Sequence, residues 1–334
     1  MKEKGVYPYD YMDNLSKFND TQLPKREDFY SLLTDEDISD DDYSRARDVW
    51  NTFGIQNMGE YHDLYLKSDI LLLAVIFENF KETCLSNYGL DPPHYVTSPG
   101  LAWDTMLKMT TINLDLITDI DMLLLIERGM RGGISYIAHW HAEANNKYMK
   151  NYDPDRESSY IKYLDANNLY GWAMSKPLPY GNLRWLEDGV RPKTIKDWLK
   201  YIKKKGTRQH VGHIYEVDLE YPSELHDLHN DYPCAAEKLC VTDEILSDYC
   251  QSIKDKFKIS NGKVRKLIPT LYNKEKYVLY EENLEIYLSL GLKLKAVHRV
   301  LQFNQKPWFK KYIDFNTGKR KIAKNSFQRD FLNC

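Results

Sequence analysis

The strongest constraint on the fold is a change in the spacing of apolar residues at the glycine pair Gly132-Gly133. Before this pair, apolar side chains recur about every 3.6 positions over residues 60–88, and Gly89 ends the pattern, which predicts one long helix. After the pair, residues 213–221 alternate between apolar and polar side chains, which predicts a strand with one buried face. We therefore expect a mixed α/β fold, with a helical part that ends near the glycine pair.

Composition limits the class of protein. The chain has 334 residues, 43% of them apolar, which is enough for about two domains with substantial cores. The longest apolar run, Ile70 to Phe77, is eight residues, far fewer than the roughly 18 needed to span a bilayer, so we expect no membrane partner. The first ten residues lack the apolar segment of a secretory signal, and the five cysteines are an odd number. These features predict a reduced, intracellular protein, and both nucleus and mitochondrion remain open as its location.

Charge is distributed unevenly, although the net charge is only −3. Residues 1–63 contain 15 acids and 7 bases, whereas residues 254–334 contain 19 bases and 7 acids. The basic block has aromatic side chains among its lysines and arginines, a combination that suits phosphate contacts and stacking on nucleic-acid bases. Solvated surfaces at the two ends of the chain explain the same numbers, so charge alone leaves both interpretations open.

A tyrosine and an aspartate lie four residues apart on the predicted long helix. Tyr65 and Asp69 therefore fall on the same helical face, one turn apart. A carboxylate can hold a hard divalent cation, and a neighbouring phenol can position a water that the cation activates. An ordinary Tyr–Asp pair on an amphipathic helix has the same spacing, so the spacing by itself does not establish a catalytic role.

A second group of polar residues follows an apolar segment in the β-rich part. Residues 161–164 are predicted to form a strand that ends at Asp165, and an asparagine-rich turn leads from there to Tyr170. A carboxylate at the end of a strand can meet a metal ion and phosphates, and a tyrosine beyond the turn can close over a sugar ring. A plain strand and turn without a ligand is the alternative.

The remaining groups give weaker signals. Arg131-Gly132-Gly133 offers backbone amides beside a guanidinium, which suits a phosphate contact, although a glycine pair is usually only a turn. The histidines and cysteines between residues 226 and 240 do not follow a zinc-ligand spacing, and we expect no metal there. The sequence contains no Walker motif, dinucleotide fingerprint or Ser-His-Asp pattern, so it gives no support to those enzyme classes.

The order of these groups resembles that of the family B DNA polymerases, specifically the protein-primed branch found in viruses, linear plasmids and Polinton transposons. The segment YHDLYLKSDILLLA (61–74) is similar to the third exonuclease motif, which implies that Tyr65 and Asp69 are the exonuclease pair, with Asp69 as a metal ligand. The segment MRGGIS (130–135) is similar to the template-contacting link between the exonuclease and polymerase domains, although Met130 replaces the usual tyrosine. The DNA contacts that this likeness implies are Arg131, Gly132 and Gly133.

A third segment, YLDANNLYGWAM (163–174), is similar to polymerase motif A, with Asn168 and Gly171 in place of the usual Ser and Pro. The resemblance implies Asp165 as a catalytic metal ligand and Tyr170 as the residue that excludes a 2′-hydroxyl. The nucleotide-binding residues that it implies are Ala166, Asn167, Asn168, Leu169 and Tyr170. It also implies Mg²⁺ as the cofactor, with template–primer DNA, deoxynucleoside triphosphates and, in this branch, a terminal protein primer as partners.

The resemblance implies a domain organisation as well. Residues 1–130 correspond to the end of an RNase H-like 3′–5′ exonuclease domain, residues 131–179 to the link and the start of the palm, and residues 180–334 to an insertion that leads to motif B. The first two exonuclease motifs and motifs B and C are not found, and Lys321 to Ser326 only imitates motif B. We therefore expect a fragment of a DNA-directed DNA polymerase that is inactive alone. A non-catalytic DNA- or terminal-protein-binding remnant of a transposon is the alternative.

Overall fold

The structure is a computed structural model that describes residues 5–203 and 210–323, so the second half of the segment that imitates motif B, residues 324–326, lies outside the described residues. The chain forms two compact units, Met1–Thr105 and Met106–Asn333, and each has its own hydrophobic core. The first unit contains α1 (Asp40–Thr52), α2 (Met58–Tyr88) and most of α3 (Ser98–Thr110), with 3₁₀ turns at Leu15–Asn19, Arg26–Phe29 and Pro92–His94.

The long helix predicted from the sequence is confirmed as α2. The Asn57 side chain accepts a backbone N–H hydrogen bond at its start, and Gly89 adopts a left-handed φ of 65° at its end, a conformation that glycine reaches with little strain. The core of the first unit includes only the beginning of this helix, at Met58 and Tyr61, whereas every residue of the apolar run 70–77 is exposed. No described helix, α2 included, combines the length and apolar character needed to cross a membrane.

The second unit is a mixture of strands and helices. Its strands are β1 (Leu178–Trp185), β2 (Val211–Glu220), β3 (Glu237–Leu239), β4 (Lys266–Ile268), β5 (Lys274–Tyr280) and β6 (Lys293–Lys306). Its helices are α4 (Ile120–Gly129), α5 (Leu169–Met174), α6 (Ile195–Lys203), α7 (His226–His229), α8 (Asp248–Phe257), α9 (Glu281–Ser289) and α10 (Lys310–Lys321). Four strands form an antiparallel sheet in the order β1-β6-β2-β5, and β3 pairs with β4 in a second, smaller sheet. The predicted mixed α/β class is confirmed.

The central strand β2 divides its side chains between two faces, as the alternation predicted. Tyr215, Val217 and Leu219 are buried on one face, in a cluster that includes residues of α6 and α9. On the other face, Ile214 packs against a smaller cluster formed by α4, β5 and β6. Glu216 also lies on this second face, and it is only 4% exposed. The sheet therefore places a buried carboxylate beside α4.

The apolar spacing over residues 278–290 predicts a helix, but the helix in this region, α9, begins only at Glu281. The residues before it form β5 and pair with β2, with Tyr280 opposite Ile214 and Tyr277 opposite Val217. Since β2 has β6 on one side and β5 on the other, its backbone hydrogen-bonding groups have partners on both sides. The gain of these sheet hydrogen bonds explains why the segment does not continue the helical pattern.

Candidate functional site

Tyr65 and Asp69, the pair predicted on α2, are in contact. The Tyr65 hydroxyl donates a hydrogen bond to Asp69 Oδ2 at 3.3 Å, and the Tyr9 hydroxyl lies 2.5 Å from the Tyr65 hydroxyl. Burial raises the pKa of the Tyr65 phenol, and its neighbours Tyr9 and Asp69 raise it further. Tyr65 therefore remains a neutral phenol near neutral pH, able to donate a hydrogen bond to the carboxylate.

A short N-terminal arm, residues 5–9, lies along α2 at this pair. The Tyr7 ring stacks on the Tyr65 ring with centroids 4.9 Å apart, and the Tyr7 hydroxyl lies 2.8 Å from His62 Nδ1. A Cβ at Gly5 would come within 2.7 Å of the Tyr65 ring, so a larger residue would displace the ring. Sequence reasoning did not include the arm in the site. The sequence signal that could have indicated this contact is the pair of tyrosines on either side of Pro8.

Asp165 lies in an exposed segment that has no regular secondary structure. Every residue from 160 to 166 is exposed, and Tyr163 and Leu164 reach 95% and 84%. The strand predicted over residues 161–164 is therefore wrong. A strand forms where a neighbouring strand takes up its backbone hydrogen bonds, and none of the strands in the described part of the chain pairs with this segment.

The predicted nucleotide-binding residues lead into the short helix α5. Asn168 adopts a left-handed conformation with φ 51°, and its side chain accepts a hydrogen bond from the Gly171 N–H at 3.2 Å, which caps the helix. A Cβ at residue 171 would collide with the Asn168 side chain, so this orientation of the Asn168 cap leaves room only for glycine at position 171. Tyr170, in the first turn of α5, is 84% exposed. The other predicted residues are also exposed, namely Ala166, Asn167, Asn168 and Leu169.

Arg131 is fixed against strand β5. Its Nη1 donates hydrogen bonds to the carbonyl oxygens of Val278 at 2.7 Å and Gly129 at 3.2 Å, and its guanidinium carbon lies 3.9 Å from the centroid of the Tyr277 ring. The pair Gly132-Gly133 is exposed, and a Cβ at either position would meet nothing within 4 Å. Packing therefore does not require glycine at this pair, whose backbone is open to a ligand.

The described residues do not assemble a metal site. Among residues 5–203 and 210–323, no group of three or more His, Cys, Asp or Glu side chains is arranged to hold a metal ion. Neither Asp69, in the first unit, nor Asp165, in the second, belongs to such a group within the described part of the chain. Because Mg²⁺ binds through several oxygen ligands, the residues present do not fit a complete Mg²⁺ site.

Comparison with known proteins connects the chain to DNA polymerases. A sequence model of the organellar and viral type B DNA polymerases matches residues 1–332. In structure, the chain is similar to phi29 DNA polymerase complexed with primer-template DNA and incoming nucleotide substrates, with 15% sequence identity and a TM-score of 0.41. That likeness covers 99% of this chain and 46% of the phi29 chain, so this chain spans less than half the length of that polymerase. No curated protein sequence matches it.

Proposed function

The chain belongs to the organellar and viral type B DNA polymerases, and we propose that it carries the nucleotide-selecting part of such an enzyme's polymerase site. The family match over residues 1–332 carries the proposal, because it includes both the Tyr65–Asp69 pair and the segment from Asp165 to Tyr170. In the intact polymerase, the reaction would be the template-directed addition of a deoxynucleotide to a 3′-hydroxyl. The proposed partners are template–primer DNA, deoxynucleoside triphosphates and a terminal protein primer, with nucleus or mitochondrion as the location.

Asp165 and Tyr170 have separate proposed roles in that reaction. Asp165 would supply one carboxylate, beside the Ala166 carbonyl, to a Mg²⁺ site whose other ligands are not among the described residues. Tyr170 would lie against the sugar of the incoming nucleotide and exclude a 2′-hydroxyl. The exposure of the Tyr170 ring supports this role, and so does the Asn168 cap, because it fixes the start of the helix to which Tyr170 belongs.

The first unit would contribute to 3′–5′ proofreading. A neutral Tyr65 phenol that donates to the Asp69 carboxylate supports a role for this pair at an exonuclease site. The domain organisation that goes with this proposal is an exonuclease end over residues 1–130, a link and palm start over 131–179, and an insertion over 180–334.

The chain on its own should not synthesise DNA. Two-metal phosphoryl transfer needs carboxylates that clasp two ions roughly 3.5–4 Å apart, and the proposed polymerase site has a single carboxylate, Asp165. A primer-extension assay with Mg²⁺ tests this, with the Asp165→Ala variant as the control. We expect no nucleotide incorporation by either protein. Incorporation by the wild-type chain that Asp165→Ala abolishes would contradict the proposal of inactivity.

A second candidate function is non-catalytic binding of DNA or of a terminal protein, as in a decayed transposon polymerase. The absence of a metal-binding group among the residues the structure describes favours it. The coding locus distinguishes the two candidates. A reading frame that continues into Lys-x3-Asn-Ser-x-(Tyr/Phe)-Gly and then Asp-Thr-Asp supports a working polymerase. A frame that lacks both motifs supports the binding function.

A further inference from the structure

Helix α2 carries an exposed apolar stripe, formed by Leu66, Ile70, Leu73 and Phe77. These residues are spaced by four, three and four positions, which places them on one side of the helix. Their exposed fractions are 45%, 56%, 66% and 40%, in chain order. The same spacing defines the a and d positions of a coiled coil. The stripe therefore has the form of a helix-pairing surface, about three turns long.

Charged side chains follow one edge of this stripe. Lys67 is paired with Asp63 at 3.2 Å, and Lys81 is paired with Glu78 at 3.7 Å. The helical period places all four residues within about 60° of one another around the helix axis. Along the chain, the signs on this edge run negative, positive, negative, positive. The reversed order has the opposite sign at each place, so the edge is complementary to itself when a second α2 runs antiparallel.

The apolar stripe and the charged edge favour the same register. An antiparallel pair centred near residue 72 puts Lys67 opposite Glu78 of a second copy, and Asp63 opposite Lys81 of that copy. In this register, Leu66 meets Phe77 and Ile70 meets Leu73, which are the contacts between a and d positions that antiparallel coiled coils make. A different register would oppose charges of the same sign or misalign the apolar layers.

The remaining acids near the stripe do not oppose this pairing. Asp69 lies on the other edge of the stripe, where it would face the uncharged Ile76 of the second copy. Glu82 points to the opposite side of the helix. Glu60 lies beyond the end of the stripe, and its carboxylate accepts a hydrogen bond from the Gln56 N–H at 2.8 Å.

The stripe offers enough surface for a reversible dimer. Its four large side chains are about half exposed, which corresponds to roughly 100 Å² each in every copy. The stems of the long charged side chains on the edge add to this area. Specific interfaces bury about 1,000 Å² or more in total. A dimer through the stripe alone therefore lies at the lower end of this range.

We propose that α2 pairs with α2 of a second copy of this chain, antiparallel, through the apolar stripe and its charged edge. A partner for this surface must present an apolar stripe whose edge carries the same signs in reverse order. A second copy meets both conditions. The inference is independent of the proposed function, because it uses none of the residues proposed for polymerisation or proofreading.

The first test compares two leucines of α2 with nearly equal exposure. Leu73, in the stripe, is 66% exposed, and Leu71 is 65% exposed but lies about 130° away from the stripe around the helix. Analytical ultracentrifugation of the whole chain, whose monomer is 39.5 kDa, measures association over about 1–100 µM, a range suited to small interfaces.

We expect the wild-type chain to form a dimer within this range. Leu73→Gln should weaken the dimer about tenfold or more, because each dimer loses two leucine contacts. Leu71→Gln should change the affinity by no more than about twofold. Circular dichroism of each variant checks that the helix content is unchanged.

The second test reverses the charges on the edge. Lys67→Glu and Glu78→Lys should each weaken the dimer about fivefold, because two exposed ion pairs become two repulsions. The double variant Lys67→Glu, Glu78→Lys places opposite charges across the interface again, so it should recover most of the wild-type affinity. High salt should reduce the differences among these variants, because it screens exposed charges.

Three results would overturn the inference. One is a wild-type chain that stays monomeric over the whole concentration range, which would assign the stripe to a different partner. Another is an equal loss in Leu73→Gln and Leu71→Gln, which would indicate unspecific association of apolar surface. The third is a double charge variant that dimerises no better than the single variants. The proposed function stands in each case, since primer extension tests it separately.

Discussion

Strand β2 and the segment 160–165 are both rich in apolar residues and both contain an aspartate, but only β2 is a strand. Each position of β2 has a neighbour on β6 or β5, such as Ile214 opposite Leu301. The segment 160–165 is exposed throughout. An apolar pattern therefore indicates which side chains could be buried, whereas a strand also needs a partner for its backbone.

Helix α2 shows that exposed apolar residues can form regular secondary structure when the backbone hydrogen bonds are local. Every residue of its apolar run 70–77 is exposed, as in the segment 160–165, and the run is nevertheless helical. A helix closes its hydrogen bonds within four residues, so it does not need a neighbouring segment to form. The run 70–77 is therefore helical because its backbone hydrogen bonds form within the helix. The segment 160–165 has no regular structure because no neighbouring strand accepts its backbone hydrogen bonds.

The largest effect on the free energy of unfolding is expected from matched leucine substitutions in β2 and in the segment 160–165. Leu219 in β2 is 1% exposed and Leu164 is 84% exposed. Leu219→Ala should lower the free energy of unfolding by about 3 kcal/mol, because it leaves a cavity in the core. Leu164→Ala should change it by less than about 0.5 kcal/mol. Urea denaturation measures both, and an equal loss in the two variants would show that the segment 160–165 is buried in solution.

A smaller effect on the free energy of unfolding is expected when the acid of each region is substituted, Glu216 in β2 and Asp165 in the exposed segment. Burial would raise the pKa of Glu216, but the hydrogen bonds and charge of Arg299, together with the charge of Arg128, outweigh it and hold the pKa below its ordinary value of 4.5. Glu216→Gln leaves two arginines without their carboxylate and should cost about 2 kcal/mol, less than a fully buried pair would, because both arginines are partly exposed.

The pH dependence of unfolding provides the control for this prediction. Because the folded pKa of Glu216 is lowered, its contribution is fully present above pH 4.5 and is lost as the pH falls through the folded pKa. Glu216→Gln should remove the loss of stability at acidic pH that the protonation of Glu216 causes. Asp165→Asn, in an exposed segment, should leave the stability at neutral pH unchanged. Thermal unfolding over a pH series measures both variants, and an equal loss in Asp165→Asn would contradict the comparison.

The elements that could be predicted from the sequence are those whose signals are local. The periodicity and Gly89 define α2, and the alternation over 213–221 defines β2 and its buried face. The contact between Tyr65 and Asp69 follows from their spacing on a helix. Their catalytic role remains a prediction, as do the roles of the nucleotide-binding residues.

The elements that could not be predicted depend on residues far apart in the chain. The segment 161–164 has strand-like residues but no partner, and residues 274–280 join a strand from another part of the sequence. A cleft beside Arg131 combines α4 with strands more than one hundred positions later. No local pattern indicates such a combination, because it depends on which surfaces meet in the folded unit.

The smallest effect is expected where the exposed segment becomes a helix, at the contact between Asn168 and Gly171. Asn168→Ala removes the cap and puts a Cβ-bearing residue without a polar side chain into a left-handed conformation, which should cost about 1 kcal/mol of local stability. Asn168→Gly keeps that conformation accessible and should cost only a few tenths of a kcal/mol. Hydrogen exchange of the Trp172 amide measures both, since this N–H donates at 2.9 Å to the Asn168 backbone carbonyl, which both variants keep.

A double-mutant cycle then tests whether the two residues depend on each other. In the wild-type background, Gly171→Ala puts a Cβ against the Asn168 side chain and should destabilise α5. In the Asn168→Gly background that side chain is gone, so Gly171→Ala should be neutral or slightly stabilising, as alanine is the better helix former. An equal cost of Gly171→Ala in the two backgrounds would show that the cap does not determine where α5 begins. In that case, the orientation of Tyr170 would depend on another contact.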